Sequence, residues 1–245
     1  MKKKYILLSL LLVFFIRSYS HASFLDMLKD TLNTMTATSS GSSSKVDLGL
    51  KEALNVGIKN TINYLGKNDG YFANAAVKIL LPEKVRNLDP ALRSLGYGPQ
   101  IDEFTLSMNR AAEKAAPLAA DIFSTAITEM SFDDANKILR GGNTAATDYL
   151  KAKTYNKLLE KFQPTVRKTM SEYKVTQKYD VLNEKVKKLP LIGQSTNLDV
   201  NRYVSSKALD GLFSVLAKEE TNIRTNPQAR VTELLKEVFK QSANN

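Results

Sequence analysis

The chain of 245 residues has no cysteine and one histidine, His21. That histidine lies in MKKKYILLSLLLVFFIRSYSHA, where three lysines, an apolar run from Tyr5 to Ile16 and the ending Ser20-His21-Ala22 follow the order of a secretory signal peptide. With cleavage expected after Ala22, the mature chain contains neither residue type. The double absence excludes Ser-His-Asp and Cys-His nucleophilic sites, histidine acid-base work, thiolate chemistry, the usual structural zinc sites and haem ligation by His or Cys. It also excludes disulfides and lipidation of an amino-terminal cysteine. An exported domain of about 220 residues must then rely on its core, and that length is enough to bury a sizeable one. Long apolar runs are absent too: the leader's is shorter than the ~20 residues that span a bilayer, and no later segment reaches that length. The expectation is export.

Charge of one sign is only mildly in excess. Losing Lys2, Lys3, Lys4 and Arg17 with the leader reduces the formal charge from +10 to +6, with 31 basic and 25 acidic residues remaining. The signs are interspersed, and no basic run alternates with aromatics, so nucleic acid is not an expected partner. Weak attraction to anionic lipid or cell-wall polymers is compatible with this balance. Period-two strand patterns and tandem repeats are nearly absent or absent, which leaves helices.

What is present is helical periodicity around one stretch, Ile101 to Arg140. At about 100° per residue, Ile101, Phe104, Met108, Ala112, Ala115, Ala119, Ile122 and Ala126 form one stripe. The pairs Ala111/Ala112, Ala115/Ala116 and Ala119/Ala120 extend small apolar surface around the helix, so neighbours can approach from several sides. Pro117 predicts a kink or break near Ala116, and Ser131 with Asp134 forms a capping-box pattern that starts a further helix, ended by Gly141-Gly142. The fold class expected is all-α, a single compact multi-helix domain of about 8 to 10 helices around this Ala-rich helix.

On either side the chain divides in order. Residues 23–33 read as a short amphipathic helix, with Phe24–Leu32 offering weak membrane-surface contact or docking on the protein's own core. Residues 34–45 are a polar Ser/Thr/Gly tract expected to act as a flexible linker, and 46–245 form the helical domain. Within it, Leu50, Leu54, Ile58, Ile62 and Leu65 predict a helix closed by a left-handed Gly66. Residues 71–81 are ambiguous between a short helix and an extended piece, and Pro82 to Leu95 reads as one helix closed by Gly96-Tyr97-Gly98-Pro99. A helix capped at Asn143 or Thr144 is expected to run to Phe162, with Pro164 starting another. Further helices are read over 176–188, from an Asp199 cap to about Arg224, and after Asn226-Pro227 through Val231, Leu234, Leu235 and Val238, with a loop at 190–198.

Few residues carry chemistry. Arg110, Glu113, Lys114 and Asp121 sit opposite the central stripe, either lining a groove or forming a solvated face. Glu219 falls within the stripe of Leu212, Val215, Leu216 and Ile223, and Glu129 lies at the edge of the Met108/Ala126 stripe. A carboxylate directed inward needs a partner, for which Arg110, Lys207 and Arg224 are available, unless helix curvature brings it to a wet edge. Helical carboxylate metal sites also use Glu-x-x-His, and no histidine remains, so no metal and no cofactor are expected. Asp133-Asp134 lacks EF-hand spacing and fits a helix cap; Gly141-Gly142 lacks the strand and GK[ST] ending of a phosphate loop.

Six blocks occur in order: GLKEAL (Gly49 to Leu54), NDGYFANAAVKILLPE (Asn68 to Glu83), MNRAAEKAAP (Met108 to Pro117), DANKILRGGNTAATDYL (Asp134 to Leu150), KALDGLF (Lys207 to Phe213) and IRTNPQARVTELLKEVF (Ile223 to Phe239). Together they resemble the exported bacterial family known as domain of unknown function 4197. The resemblance covers nearly the whole mature chain from about Lys45. It implies a mostly helical exported protein of the Gram-negative periplasm, with no activity assigned and no catalytic residues to carry over. The leading functional expectation is a non-enzymatic domain that binds a small ligand, a lipid or an envelope protein in a groove beside the central helix. The alternatives are a carboxylate-based hydrolase working without His or Cys, as glycosidases do with two carboxylates about 5 to 10 Å apart, and a structural envelope component.

Overall fold

The computed structural model describes residues 42–173 and 199–230. All regular structure among them is helical, with no strand. In chain order the helices are α1 (Ser42–Leu65), α2 (Glu83–Arg86), α3 (Asp89–Ser94), α4 (Gly98–Ala115), α5 (Ala119–Thr128), α6 (Phe132–Arg140), α7 (Ala145–Glu172) and α8 (Val200–Thr225), with 3-10 turns at Ala116–Leu118 and Pro227–Ala229. The all-α, single-domain expectation holds. The expected leader, the helices expected at 23–33, at 176–188 and after Asn226-Pro227 through Val238, and the loop expected at 190–198 lie wholly or mainly outside the described residues.

The centre is where the small-residue stripe places it. Ile101, Phe104, Met108, Ala112, Ala115, Ala119 and Ala126 are buried, and so are Ala111 and Ala116. Because these alanines add almost no bulk, α4 and α5 accept α1, α7 and α8 as neighbours. Pro117 divides the stretch as expected: the α-helix ends at Ala115 and a 3-10 turn, Ala116–Leu118, leads into α5. Proline has no N–H to return to the Glu113 carbonyl, so the ladder must change pitch there. Ser131 then caps α6 with the full reciprocal box, its hydroxyl accepting from the Asp134 N–H at 3.1 Å while Asp134 receives the Ser131 N–H at 3.3 Å.

Four local expectations need correction. The helix α1 begins at Ser42, inside the polar tract 34–45, because adding residues to an existing helix costs far less than nucleating one. The left-handed residue after α1 is Asp69, at φ 66°, and not Gly66. Glycine is needed at 66 for space instead, since a Cβ there would lie 2.9 Å from the Ile62 carbonyl and 3.0 Å from the Pro117 ring. The single helix expected over Pro82 to Leu95 is two, α2 and α3, as a continuous helix would drive the Pro90 ring into the Arg86 carbonyl. Conversely, Pro164 does not start a helix but sits inside α7. Its ring and Glu160, whose carbonyl loses its partner, are both exposed, so water replaces the bond. Phe162 and Val166, both buried, hold the two halves in line.

The core runs continuously from α1 through α8. Leu50, Leu54, Ile58, Ile62 and Leu65 of α1 meet Leu209, Leu212 and Leu216 of α8, Leu150, Leu158 and Phe162 of α7, and Phe123 of α5 in one cluster. Phe213 lies edge-on to Phe123, ring centres 5.8 Å apart, and stacks on Tyr155 at 6.3 Å. Both arrangements suit the ring quadrupole. No helix among the described residues is long and apolar enough to cross a membrane.

Candidate functional site

Residues 66–81 form no regular element beyond turns, yet Tyr71, Val77, Ile79 and Leu81 are buried. Buried backbone without a ladder requires partners from elsewhere. Helix α4 supplies them. Asn109, fully buried, accepts the Ile79 N–H at 2.8 Å and donates to the Ile79 carbonyl at 2.9 Å, as a neighbouring strand would. One turn later the Glu113 carboxylate accepts the N–H groups of Tyr71 and Phe72, both at 3.1 Å, while its second oxygen takes Arg110 at 2.6 Å. Arg110 bridges on to Asp69 at 2.6 Å. The Tyr71 phenol donates to the Ala208 carbonyl at 2.7 Å, and burial, with Glu113 nearby, holds it far above its ordinary ionisation range.

A second carboxylate works the same way on a helix end. Thr144 precedes α7 without making a side-chain cap, which leaves the first N–H groups of a 28-residue helix open. Glu220 of α8 takes them: Ala146 N–H at 2.9 Å, Thr147 N–H at 2.8 Å and the Thr147 hydroxyl at 2.8 Å. The negative charge sits at the positive end of the helix dipole. Arg224, one turn along α8, holds the same carboxylate at 2.8 Å and reaches the Ile138 carbonyl of α6 at 2.9 Å.

The residues singled out from sequence therefore separate. Glu113 is buried rather than on a solvated face, because α4 is enclosed on more than one side. Arg110 is its partner, and Lys114 makes an exposed pair with Glu172 at 3.0 Å. Glu129 ends α5 on the surface rather than pointing inward. It lies near the Tyr149 phenol, which burial and Asp134 push above its ordinary range. Glu219 is only partly buried, and the inward carboxylate of α8 is its neighbour Glu220. Sequence spacing misses this because α7, α1 and α4 all pack on α8, which widens its buried face to include Gly211 and Phe213 and moves its centre. Arg224, read as an available partner for Glu129 or Glu219, holds Glu220 instead. Of the four carboxylates that a hydrolase reading needs, Glu113, Glu129, Asp134 and Glu219, Glu113 is consumed by the Tyr71 and Phe72 N–H groups and Asp134 by the Ser131 cap, Glu129 is exposed, and neither of the two described pockets is lined by any of the four. No cluster of three or more metal-ligating side chains occurs among the described residues.

Two concavities lie among the described residues. One, bordered by Leu50, Leu54, Gly57, Leu150, Leu216 and Glu220, has a cavity volume of about 20 Å³, room for one water. The other is an open groove of about 470 Å³ formed by Asp148, Lys151, Ala152 and Tyr155 of α7 with Asp210 of α8. The α7 residues recur at i, i+3, i+4 and i+7, so they share a face. The Tyr155 hydroxyl lies 3.0 Å from the Ser206 hydroxyl, and the Lys151 ammonium stands 5.8 Å from the Phe213 ring centre. Asp210 binds Lys207 at 3.0 Å, and that contact holds the Lys207 ammonium above its ordinary range. Lys207 is thus the one sequence candidate placed beside the groove, while neither α7 nor Tyr155 carried a pattern that would have singled them out. The central helix does not border it.

Residues 40–240 match the model of a family described as a protein of unknown function (DUF4197). The chain belongs to that family. The match spans every described helix and agrees with the order of blocks from Gly49 to Phe239. No curated protein and no solved structure matches the chain.

Proposed function

We propose that this member of the DUF4197 family is an exported, non-enzymatic binding domain, and that its ligand occupies the groove between α7 and α8. The observation that carries the reading is the contrast in how polar groups are used. Glu113, Asn109 and Glu220 are spent on backbone N–H groups inside the fold. In the groove, Lys151, Tyr155, Asp148 and Asp210 stand at an open concavity beside the apolar Ala152 and the Phe213 ring. A few convergent polar groups against an apolar wall are the ordinary make-up of a ligand site. Export rests on the leader, whose removal after Ala22 gives a chain starting at Ser23.

The test is native mass spectrometry, with lipid extraction, of the protein purified from the periplasm of its own cells. The expected result is a mature chain beginning at Ser23 that carries a small molecule, with occupancy lost in Lys151→Ala/Tyr155→Ala. A chain that retains the leader overturns export. A clean protein, or one whose ligand survives the double substitution, overturns the groove, and a stoichiometric protein partner replaces it with a structural role in the envelope.

A further inference from the structure

Helix α7 has a second outward flank that the groove does not use. Lys153, Lys157, Lys161 and Lys168 are all exposed and recur at i, i+4, i+8 and i+15. At about 100° per residue they fall in one stripe about 80° wide, and at about 1.5 Å per residue the row is about 22 Å long. Lys153, Lys157 and Lys161 each precede a buried residue (Thr154, Leu158, Phe162), whereas Lys151 and Tyr155 of the groove each follow one (Leu150, Thr154). Row and groove are therefore on opposite flanks. From Lys153 to Lys168 the chain carries five cations, Arg167 included, against one carboxylate, Glu160. That excess of four is most of the +6 of the mature chain, gathered within one helix. Among the described residues none of the four lysines is ion-paired. The acidic groups beside the row border its ends: Glu129 and Asp134 near Tyr149 at its head, with Lys137 close to Asp134, and Glu172 at its tail, held by Lys114 at 3.0 Å.

We infer that this row docks the protein on a bilayer rich in anionic phospholipid, with α7 lying along the headgroups. Charge complementarity calls for an anionic partner, and length selects its kind: lysines spread over about 22 Å cannot converge on one small anion and match an extended surface. None of the large apolar side chains exposed in the described structure, Tyr64, Leu80, Leu95, Phe132 and Tyr173, belongs to the row. A protein interface is centred on such anchors and depleted of lysine, so a protein partner fits poorly. The ring at the head of the row, Tyr149, is half-buried and has the Lys153 ammonium over its face, 5.7 Å from its centre. The bases of a nucleic-acid strand would find no platform there. Each lysine near an anionic lipid surface strengthens binding about fivefold, the equivalent of ~1 kcal/mol, and needs no fixed geometry to do so.

The test is cosedimentation of the mature chain with vesicles of phosphatidylcholine, alone or mixed about equally with phosphatidylglycerol, at about 50 mM and about 0.5 M salt. The expected result is binding to the mixed vesicles at least about tenfold tighter than to phosphatidylcholine alone, present at low salt and lost at high salt. Lys157→Gln and Lys161→Gln should each weaken it about fivefold, and the double reversal Lys157→Glu/Lys161→Glu should abolish it. Lys59→Gln removes the same charge from an exposed position on α1 and should change binding by less than about twofold. All variants should melt with the parent because these side chains are exposed. An equal loss in Lys59→Gln overturns the inference, since net charge and not the row would then decide. Binding that survives high salt or the double reversal also overturns it, and assigns the contact to the apolar segment Phe24–Leu32. Tighter binding to a single-stranded oligonucleotide than to the mixed vesicles at the same salt replaces the membrane by nucleic acid, and no binding to either vesicle ends the proposal. The groove reading stands or falls separately, because its residues are on the other flank of α7.

Discussion

Replacing Glu220 by alanine removes the acceptor of the Ala146 and Thr147 N–H groups and of the Thr147 hydroxyl, and takes the carboxylate from Arg224. Both partners of the ion pair are at least 90% buried as side chains, at 8% and 10% exposure, so solvent screening discounts little. Removing one member of a buried pair costs about 3 to 5 kcal/mol. Arg224 keeps the Ile138 carbonyl, which argues for the lower end, about 3 kcal/mol. For a domain of this size each kcal/mol moves the melting midpoint about 2 to 4 °C, giving a fall of about 6 to 12 °C by calorimetry. Glu220→Gln keeps an acceptor oxygen and should lose roughly half as much. Hydrogen exchange should accelerate first at Ala146 and Thr147. The partly buried neighbour supplies the control: Glu219→Ala should stay within about 0.5 kcal/mol of the parent. If Glu220→Ala melts within 2 °C (roughly one kcal/mol or less) of the parent, the clamp does not stabilise the fold and the reasoning fails.

Two glycines should respond in opposite directions. A Cβ at Gly211 would lie 2.7 Å from the Tyr71 ring and 3.2 Å from Val77, so Gly211→Ala should destabilise by about 1 to 3 kcal/mol in urea unfolding. At Gly57 the nearest atoms, on Ile223 and Leu216, are 3.8 and 3.9 Å away, and Gly57→Ala should stabilise by about 0.5 to 1 kcal/mol. The Ser131 hydroxyl holds the Asp134 carboxyl below its ordinary value of 3.8. A lowered folded value means that its contribution is complete above that ordinary value and is lost as pH falls through the lowered one, so α6 should begin to fray only as pH falls below 3.8. Carboxyl NMR titration of Asp134 with a midpoint at or above 3.8 contradicts this.

The legible part of the fold was the part set by periodicity. The stripe from Ile101 to Ala126 and that of Leu50 to Leu65 identified α1, α4 and α5, and Pro117, Ser131 and Asp199 marked the end of α4 and the starts of α6 and α8 through local chemistry that depends on few neighbours. Pro164 misled because a proline's cost depends on whether the carbonyl it abandons meets water, which is a property of the packed structure. Segment 71–81 was ambiguous for a related reason: its backbone partners, Asn109 and Glu113, lie 30 and 42 residues away. The candidate site was the least legible. Arg224 and Lys207 were read as partners for Glu129 or Glu219 but hold Glu220 and Asp210; the choice between Glu219 and Glu220 turns on how many helices pack on α8, and Tyr155 becomes notable only when Ser206 stands across from it.

The clamp at Glu220 also bears on the order in which the chain becomes structured. Helix α7 is closed at its start by a residue 73 and 74 positions later, so its first turn stays frayed until α8 is in place. Glu113 reaches back 41 and 42 positions in the same way, to fasten a segment already made. In both cases an earlier stretch of chain waits for a later one. As the chain emerges residue by residue, the fold therefore tightens from its carboxyl-terminal side, and a chain cut before α8 keeps α7 loose at the very end that carries Asp148 and Lys151.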